Sequence, residues 1–305
     1  MIAFIVNPAA AAGRTGKLWP RVEAEIRRRW GSSYVAHMTE HPLHAVDLTR
    51  RELRKGAEIV VSVGGDGTLN EVVNGFFLRR EPVRPEAALG MLCFGTGADF
   101  VRSTGWPKDY HRALDRLKDP RFRRIDLGWA RFTDLGSRKT ERLFLNIADF
   151  GIGGAVVDRV NRSSKRLGGR ISFLSAILVT FLTYRNQTVE YRADGGRWQR
   201  QVLNNFIIGN GRYFGGGLNP APEAELDDGL FDVVLIGDVG FWEAVRNLPR
   251  LRRGTHLSHP KISFFRAKSL EARSEAPHFI DMDGECVGQL PLQAGILHRA
   301  LRICT

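Results

Sequence analysis

Cysteine is scarce in this chain of 305 residues: Cys93, Cys286 and Cys304 are an odd number with no CxxC spacing. That pattern excludes a disulfide framework and a zinc site built on cysteine pairs. Long hydrophobic runs are missing too. The longest apolar stretch, Ile171 to Tyr184, has 14 residues, short of the roughly 20 that a membrane-spanning helix needs. The opening MIAFIVNP carries neither a basic segment nor a long apolar core, so a secretory signal is not expected. There is no internal repeat, no GxxxxGK[ST] loop and no HRD loop of a protein kinase. With 43% hydrophobic and 26% charged residues, the expectation is a cytoplasmic globular protein of two domains.

Acidic residues are also in short supply. Lys and Arg number 45 against 33 Asp and Glu, a net charge of +12, which suits a nucleotide, nucleic acid or an acidic membrane surface. The arginines stand in short groups (Arg27–Arg29, Arg50–Arg51, Arg79–Arg80, Arg121–Arg124, Arg250–Arg253) without a nucleic-acid tail or a zinc-finger or RNP pattern. A nucleic-acid partner is therefore not expected.

Apolar periodicity alternates through the first 125 residues. It predicts strands at Ile2–Val6, Ser33–Met38, Glu58–Val63 and Ala88–Cys93, with helices through Leu18–Trp30, Leu43–Lys55, Leu69–Phe77 and Tyr110–Lys118. This is the pattern of a doubly wound parallel sheet, an α/β domain whose ligands bind at the carboxyl ends of the strands. From residue 126 the texture changes to apolar runs flanking Gly and Asp turns, at Leu143–Ile147, Val189–Arg192, Val202–Ile208, Phe231–Ile236, Ile262–Phe265 and Phe279–Met282. These predict a β-rich, antiparallel sandwich-type domain over 126–295, with helices at Val156–Lys165, Ile171–Tyr184 and Phe241–Arg253. The boundary falls between 125 and 126, and the sequence leaves open whether 296–305 completes the first domain.

The sharpest feature is Gly64-Gly65-Asp66-Gly67-Thr68, between a predicted strand and helix. Consecutive glycines let the backbone approach a ligand, and the amides of such a turn with a helix N-terminus behind them suit phosphate groups. Asp66, a carboxylate beside phosphates, fits a Mg²⁺-bound nucleotide better than a bare anion; as a structural residue it would cap the helix. Asn7-Pro8 and Gly95-Thr96-Gly97 follow two other strands of the same sheet and would reach the same edge. In the second half, Asp227-Asp228-Gly229-Leu230 and the Asp281, Asp283 and Glu285 cluster mark acidic turns. Such tips are commonly just solvated, but a carboxylate there could accept a proton from a substrate hydroxyl.

Read together, Val63-Gly64-Gly65-Asp66-Gly67-Thr68-Leu69-Asn70-Glu71-Val72, Asn7-Pro8, Gly95-Thr96 with Asp99-Phe100, Asn210-Gly211 through Gly217, Asp227–Val233 and Asp283-Gly284-Glu285 resemble the diacylglycerol-kinase catalytic family. That family includes soluble bacterial lipid kinases and the sphingosine and ceramide kinases. The resemblance implies an NAD-kinase-like nucleotide-binding domain, a β-rich second domain, and ATP and Mg²⁺ used to phosphorylate a lipid hydroxyl in an interdomain cleft. It implies that Asn7, Pro8, Thr39, Gly64, Gly65, Asp66, Gly67, Thr68, Leu69, Asn70, Glu71 and Thr96 hold the nucleotide. Glu285 is then the general base, and Asp66 positions Mg²⁺-ATP or shares that role. Glu225, Asp228 and Leu230 would hold a structural Mg²⁺, through the Asp228 carboxylate and main-chain oxygens. Two departures stand out: Ala98 replaces the family's Asn in G-T-x-N-D-F, and the loop Asn7–Gly13 is longer than N-P-x-S-G, by two residues, and lacks its Ser.

Arg162, Lys165, Arg166 and Arg170 precede the apolar run Ile171–Tyr184. This segment reads equally as a core helix and as a basic, apolar surface for an anionic membrane, which predicts peripheral membrane association. A homodimer would need an exposed sheet edge or apolar patch. Rival readings are an NAD-kinase-like or phosphofructokinase-like kinase, through the same GGDGT turn, and a catalytically silent lipid- or nucleotide-binding protein.

Overall fold

The computed structural model describes residues 1–95, 97–163 and 179–305, with 161–163 by backbone alone. Two compact units result, residues 1–127 with 297–305 and residues 128–296.

In the first unit, apolar runs form the strands. β1 (Ile2–Val6) and β3 (Ile59–Gly64) flank one another, with β2 (Tyr34–Met38) outside β1 and β6 (Ala88–Cys93) outside β3, all parallel. The end of β17 (Glu285–Cys304) adds a fifth parallel strand, with Arg302 opposite Ala88. β1 is buried at all five positions and β6 at five of six, as strands covered on both faces must be. The cover is α1 (Arg14–Trp30), α2 (His44–Arg54), α3 (Asp66–Phe76), α4 (Asp99–Thr104) and α5 (Tyr110–Lys118). α1 buries Trp19, Val22 and Ile26, one helical stripe, and ends on Gly31 after three arginines that suit its C-terminal dipole. A two-stranded hairpin of β4 (Phe77–Leu78) and β5 (Glu81–Pro82) follows α3.

The second unit is antiparallel. β14 (Ile262–Ala267), β13 (Phe231–Ile236), β12 (Asn205–Gly209), β9 (Ile147–Gly151), β16 (Phe279–Met282) and β17 lie in that order. β10 (Gln187–Ala193) pairs with β11 (Gln199–Leu203) and β15 (Ser269–Arg273), and β7 (Phe122–Asp134) with β8 (Lys139–Phe144). Alternation along β12 puts Phe206 and Ile208 into one core and Ile207 into another. In the larger core Phe150 stacks on Phe206 at 4.8 Å, and Tyr191 of β10 meets Phe206 edge-on at 5.3 Å, which packs one sheet layer on another. α6 (Ile152–Ser163) and α7 (Phe241–Arg253) are the long helices described in this unit, and 179–183 is also helical.

The expected α/β and antiparallel β-rich architecture is present. Two apolar runs read as single strands are each two: Leu143–Ile147 spans the end of β8 and the start of β9, and Val202–Ile208 spans β11 and β12. α3 begins at Asp66, a turn before the expected Leu69. Thr96 and 164–178, with Lys165, Arg166, Arg170 and most of the Ile171–Tyr184 run, lie outside the described residues, as does the side chain of Arg162.

Candidate functional site

Three strand-end loops of the first unit meet. Asn7, just after β1, donates its backbone N–H to Val63 O of β3 at 3.0 Å and its Nδ2 to Thr68 Oγ1 at 3.0 Å. Thr39, just after β2, donates its N–H to Val6 O at 2.8 Å. The loop after β6 rests directly on the loop after β3: a Cβ on Gly95 would stand 2.9 Å from the Gly65 Cα, and one on Gly64 2.5 Å from Thr68 Oγ1. No side chain fits at either position without displacing its neighbour, so glycine is required there by contact. Gly65 is the N-cap of α3 in extended conformation, and Gly65, Asp66 and Gly67 are half-buried at the helix start. The N–H groups of this turn precede any intrahelical acceptor, which makes a site for phosphate oxygens.

The other residues expected at the nucleotide divide. Asp66 accepts hydrogen bonds from the Ala98 N–H at 2.9 Å and the Asp99 N–H at 3.2 Å, so it caps α4 and ties the 95–99 loop to α3. Glu71 accepts from the Ala45 N–H at 3.3 Å, at the start of α2. Leu69 and Asn70 are buried, and Asn74 donates to the Asn70 side chain at 3.1 Å. Pro8 packs on Gly16, where a Cβ would lie 3.0 Å from Pro8 O. Arg102 was not singled out in the sequence. It pairs with Asp99 at 2.7 Å and donates to Gly97 O, a fixed cation one turn into α4; its spacing of three residues from Asp99 was the available signal.

In the second unit the acidic tip is organised by backbone amides. Asp283 and Gly284 both have positive φ, 50° and 90°, and close the β16–β17 hairpin between Met282 and Glu285, the conformation for which Asp-Gly is suited. The Asp283 carboxylate accepts from the N–H groups of Leu145 at 2.8 Å, Asn146 at 2.9 Å and Ile147 at 3.2 Å. These bonds interrupt the apolar run and separate β8 from β9. Asn210 is fully buried and donates its Nδ2 to Leu145 O at 2.6 Å, while Asn146 Nδ2 reaches Tyr213 O at 2.5 Å. Glu285 Oε2 lies 2.5 Å from the Arg142 guanidinium, with the Glu285 side chain 38% exposed. The glutamate is thus positioned by an arginine and backed by a bonded loop, yet partly open to solvent. Arg142 and Asn146 were missed, because partners 143 and 137 residues away leave no local signal.

One half of the chain, residues 146–305, matches the model of the YegS C-terminal NAD kinase beta sandwich-like domain, and residues 1–130 match that of the diacylglycerol kinase catalytic domain. The chain belongs to the diacylglycerol-kinase catalytic family. A protein of Staphylococcus haemolyticus named diacylglycerol kinase is 28% identical over 99% of this chain and 87% of its own length. The crystal structure of a diacylglycerol kinase from Bacillus anthracis aligns over 99% of this chain and 95% of that one, at TM-score 0.71 and 19% identity. An NAD kinase of Archaeoglobus fulgidus in complex with ATP covers 100% of this chain and 94% of its own, at TM-score 0.53 and 14% identity, a likeness of fold.

For a diacylglycerol-kinase family chain the metal set is the part to test on chemistry. Glu225 is exposed, Asp228 and Leu230 are half-buried, and Asp228 accepts the Leu230 N–H at 3.0 Å. Asp232 nearby is buried, and its Oδ2 has no hydrogen-bond partner among the described residues. Burial pushes its carboxyl up to about 6, Arg266 opposing and Asp228 and Glu223 adding to the rise. An acidic, oxygen-rich group with an unsatisfied buried oxygen fits Mg²⁺, although no cluster of three or more His, Cys, Asp or Glu side chains occurs among the described residues.

Proposed function

We propose that this chain is an ATP-dependent lipid kinase that transfers the γ-phosphoryl group to a hydroxyl of a lipid such as diacylglycerol. The observation that carries the reading is the half-buried Gly65–Gly67 turn at the start of α3, pressed against Gly95 in a chain of this family. Amides there would meet the phosphate oxygens, and the Asn7–Thr68 bond would hold the edge of the loop in place. Asp66, engaged by the Ala98 and Asp99 amides, would fix the two loops at one spacing and present its carboxylate toward Mg²⁺. Mg²⁺ bound with ATP supplies neutralisation of the charge that develops between the β- and γ-phosphates. Glu285, held by Arg142, would take the proton of the lipid hydroxyl as its oxygen attacks the γ-phosphorus, and the bond to the β-phosphate oxygen breaks to leave ADP.

The substrate would be drawn from an anionic membrane surface, which suits the net charge of +12. No helix among the described residues is long and apolar enough to cross a membrane. The test is transfer of labelled phosphate from ATP to a panel of lipids in anionic mixed micelles, with NAD as a further acceptor and Glu285→Ala beside the wild type. A labelled lipid that requires Mg²⁺ and fades in Glu285→Ala is expected. Label on NAD alone would favour the NAD-kinase reading that the shared fold admits, and nucleotide binding without transfer would indicate a silent binder.

A further inference from the structure

α7 is unusual among the described helices: none of its 13 residues is buried. Trp242 is 78% exposed, Val245 46% and Leu248 43%. They stand at spacings of three, one stripe of an α-helix, and an exposed tryptophan of this degree is uncommon in a protein that meets only water. Leu182 and Val179 are also exposed, and Leu182 shares with Phe241 and Ala244 of α7 the wall of a cavity of about 260 Å³. The exposed Leu182 of the 179–183 segment thus lies beside the start of α7.

Charge decides what covers it. Arg246, Arg250, Arg252 and Arg253 are all exposed, and none forms an ion pair among the described residues. The one acid of α7, Glu243, is already taken by Lys261 at 2.7 Å and His259 at 3.4 Å. Some exposed arginines elsewhere do have carboxylate partners, as Arg28, Arg131, Arg138 and Arg273 do; on α7 four stand together without one among the described residues. A helix with an exposed aromatic and aliphatic stripe flanked by unpaired arginines has the composition of an interfacial helix. A protein partner would have to supply several carboxylates in register, whereas an anionic bilayer offers phosphates at any register.

We propose that α7 is the face by which this chain lies on an anionic lipid bilayer, with Trp242, Val245 and Leu248 in the headgroup region and Arg246, Arg250 and Arg252 on lipid phosphates. The proposal rests on the reading of a lipid substrate, since it names the surface through which that substrate would be reached.

The experiment is co-sedimentation with vesicles of phosphatidylglycerol and phosphatidylcholine, and of phosphatidylcholine alone. Activity on a water-soluble short-chain diacylglycerol is measured in parallel. Wild type should bind the anionic vesicles, lose them at high salt, and bind the neutral ones weakly. Arg246→Gln with Arg250→Gln should weaken binding about 30-fold, each charge near the surface contributing about a factor of five. Trp242→Ala should weaken it about tenfold and Trp242→Phe much less, and brominated lipid should quench a fluorescence component that Trp242→Phe lacks. All variants should keep the thermal midpoint and short-chain activity of wild type. Vesicle binding unaffected by the α7 variants overturns the proposal, and so does a concentration-dependent dimer that α7 variants dissociate while leaving vesicle binding intact. Vesicle binding through α7 without activity on any lipid would leave the docking face standing and remove the kinase reading instead.

Discussion

The glycine turn of the first unit, which we propose meets phosphate, and the acidic tip of the second are assembled by opposite means. Around Gly64, Gly65 and Gly95 the site is made of backbone, and side chains are excluded by contacts as short as 2.5 Å. Around Asp283 and Glu285 the backbone serves the side chains: three amides hold one carboxylate and an arginine holds the other. A surface of amides binds an anion of general shape, while an oriented carboxylate acts on a proton at one atom. Substitutions in the two places should therefore move different kinetic quantities.

The largest effect should come from the side-chain site. Glu285→Gln keeps shape and removes the proton acceptor, so kcat should fall by roughly 10²–10⁴ with little change in nucleotide affinity. Gly95→Ala should do the reverse. Its Cβ would press on the Gly65 Cα at 2.9 Å, and overpacking of about 1–3 kcal/mol corresponds to about 5- to 150-fold weaker ATP binding, with a smaller change in kcat. Nucleotide titration alongside single-turnover transfer separates the two. Loss of ATP affinity in Glu285→Gln, or an unaltered affinity in Gly95→Ala, would break the comparison.

The same contrast explains what the sequence could show. Continuous apolar runs covered on both faces, such as Ala88–Cys93 and Phe231–Ile236, are strands with the expected limits, and so is the Asp283-Gly284 turn. The glycine loops were legible because their requirement is local. The breaks at 145–146 and at Asn204 were not, since apolar periodicity continues across both while hydrogen bonds end the strands. Asp283 takes the amides at the first, and Asn204 at the second donates its N–H to Ile236 O at 2.8 Å and its Nδ2 to Asn186 at 2.8 Å. α3 starts early although Asp66 and Gly67 are weak helix formers, Asp66 being held there by the Ala98 and Asp99 amides. The exposed stripe of α7 was legible as a helix at Phe241–Arg253 but not as a surface, because amphipathic spacing is the same whether a core or a membrane covers it.

A buried pair in the second unit sharpens the comparison further, as burial outweighs the amides that reach its carboxylates. Asp149 of β9 lies directly opposite Asp281 of β16. Both are buried, and neither Asp149 oxygen nor Asp281 Oδ1 has a hydrogen-bond partner of good geometry among the described residues. Burial pushes Asp149 up to about 7, with Asn205 and the Gly154 amide offsetting part of the rise, and pushes Asp281 up as well, with Asp149 adding to it. A carboxyl raised in the folded state binds its proton more tightly there than in the unfolded chain. Its stabilising contribution is complete below its ordinary value of 3.8 and is lost as pH rises through about 7. Urea midpoints should therefore fall for the wild type between about pH 4 and about pH 7, by at most about tenfold in the unfolding constant per pH unit for each carboxyl. Asp149→Asn should flatten that slope. Parallel pH curves for the two proteins would show that the pair titrates outside this window.

The smallest effect tests the backbone side alone. Ala98, at φ 50° and ψ 40°, is the N-cap of α4, and its N–H is the one that Asp66 accepts at 2.9 Å. Alanine in the left-handed region costs about 1–2 kcal/mol, whereas asparagine enters it readily and its side-chain oxygen can cap a helix. Ala98→Asn leaves the donor to Asp66 in place and relieves the strain, so thermal or urea unfolding should show a gain of about 1 kcal/mol, roughly 2 °C in Tm for a chain of this length. Because the phosphate side depends on backbone position rather than on this side chain, kcat and ATP affinity should stay within about twofold of wild type. A fall in stability would show that residue 98 does not adopt the left-handed conformation. A large gain in ATP affinity would show that a side chain at 98 reaches the nucleotide, and the division between a backbone-built and a side-chain-built half would no longer hold.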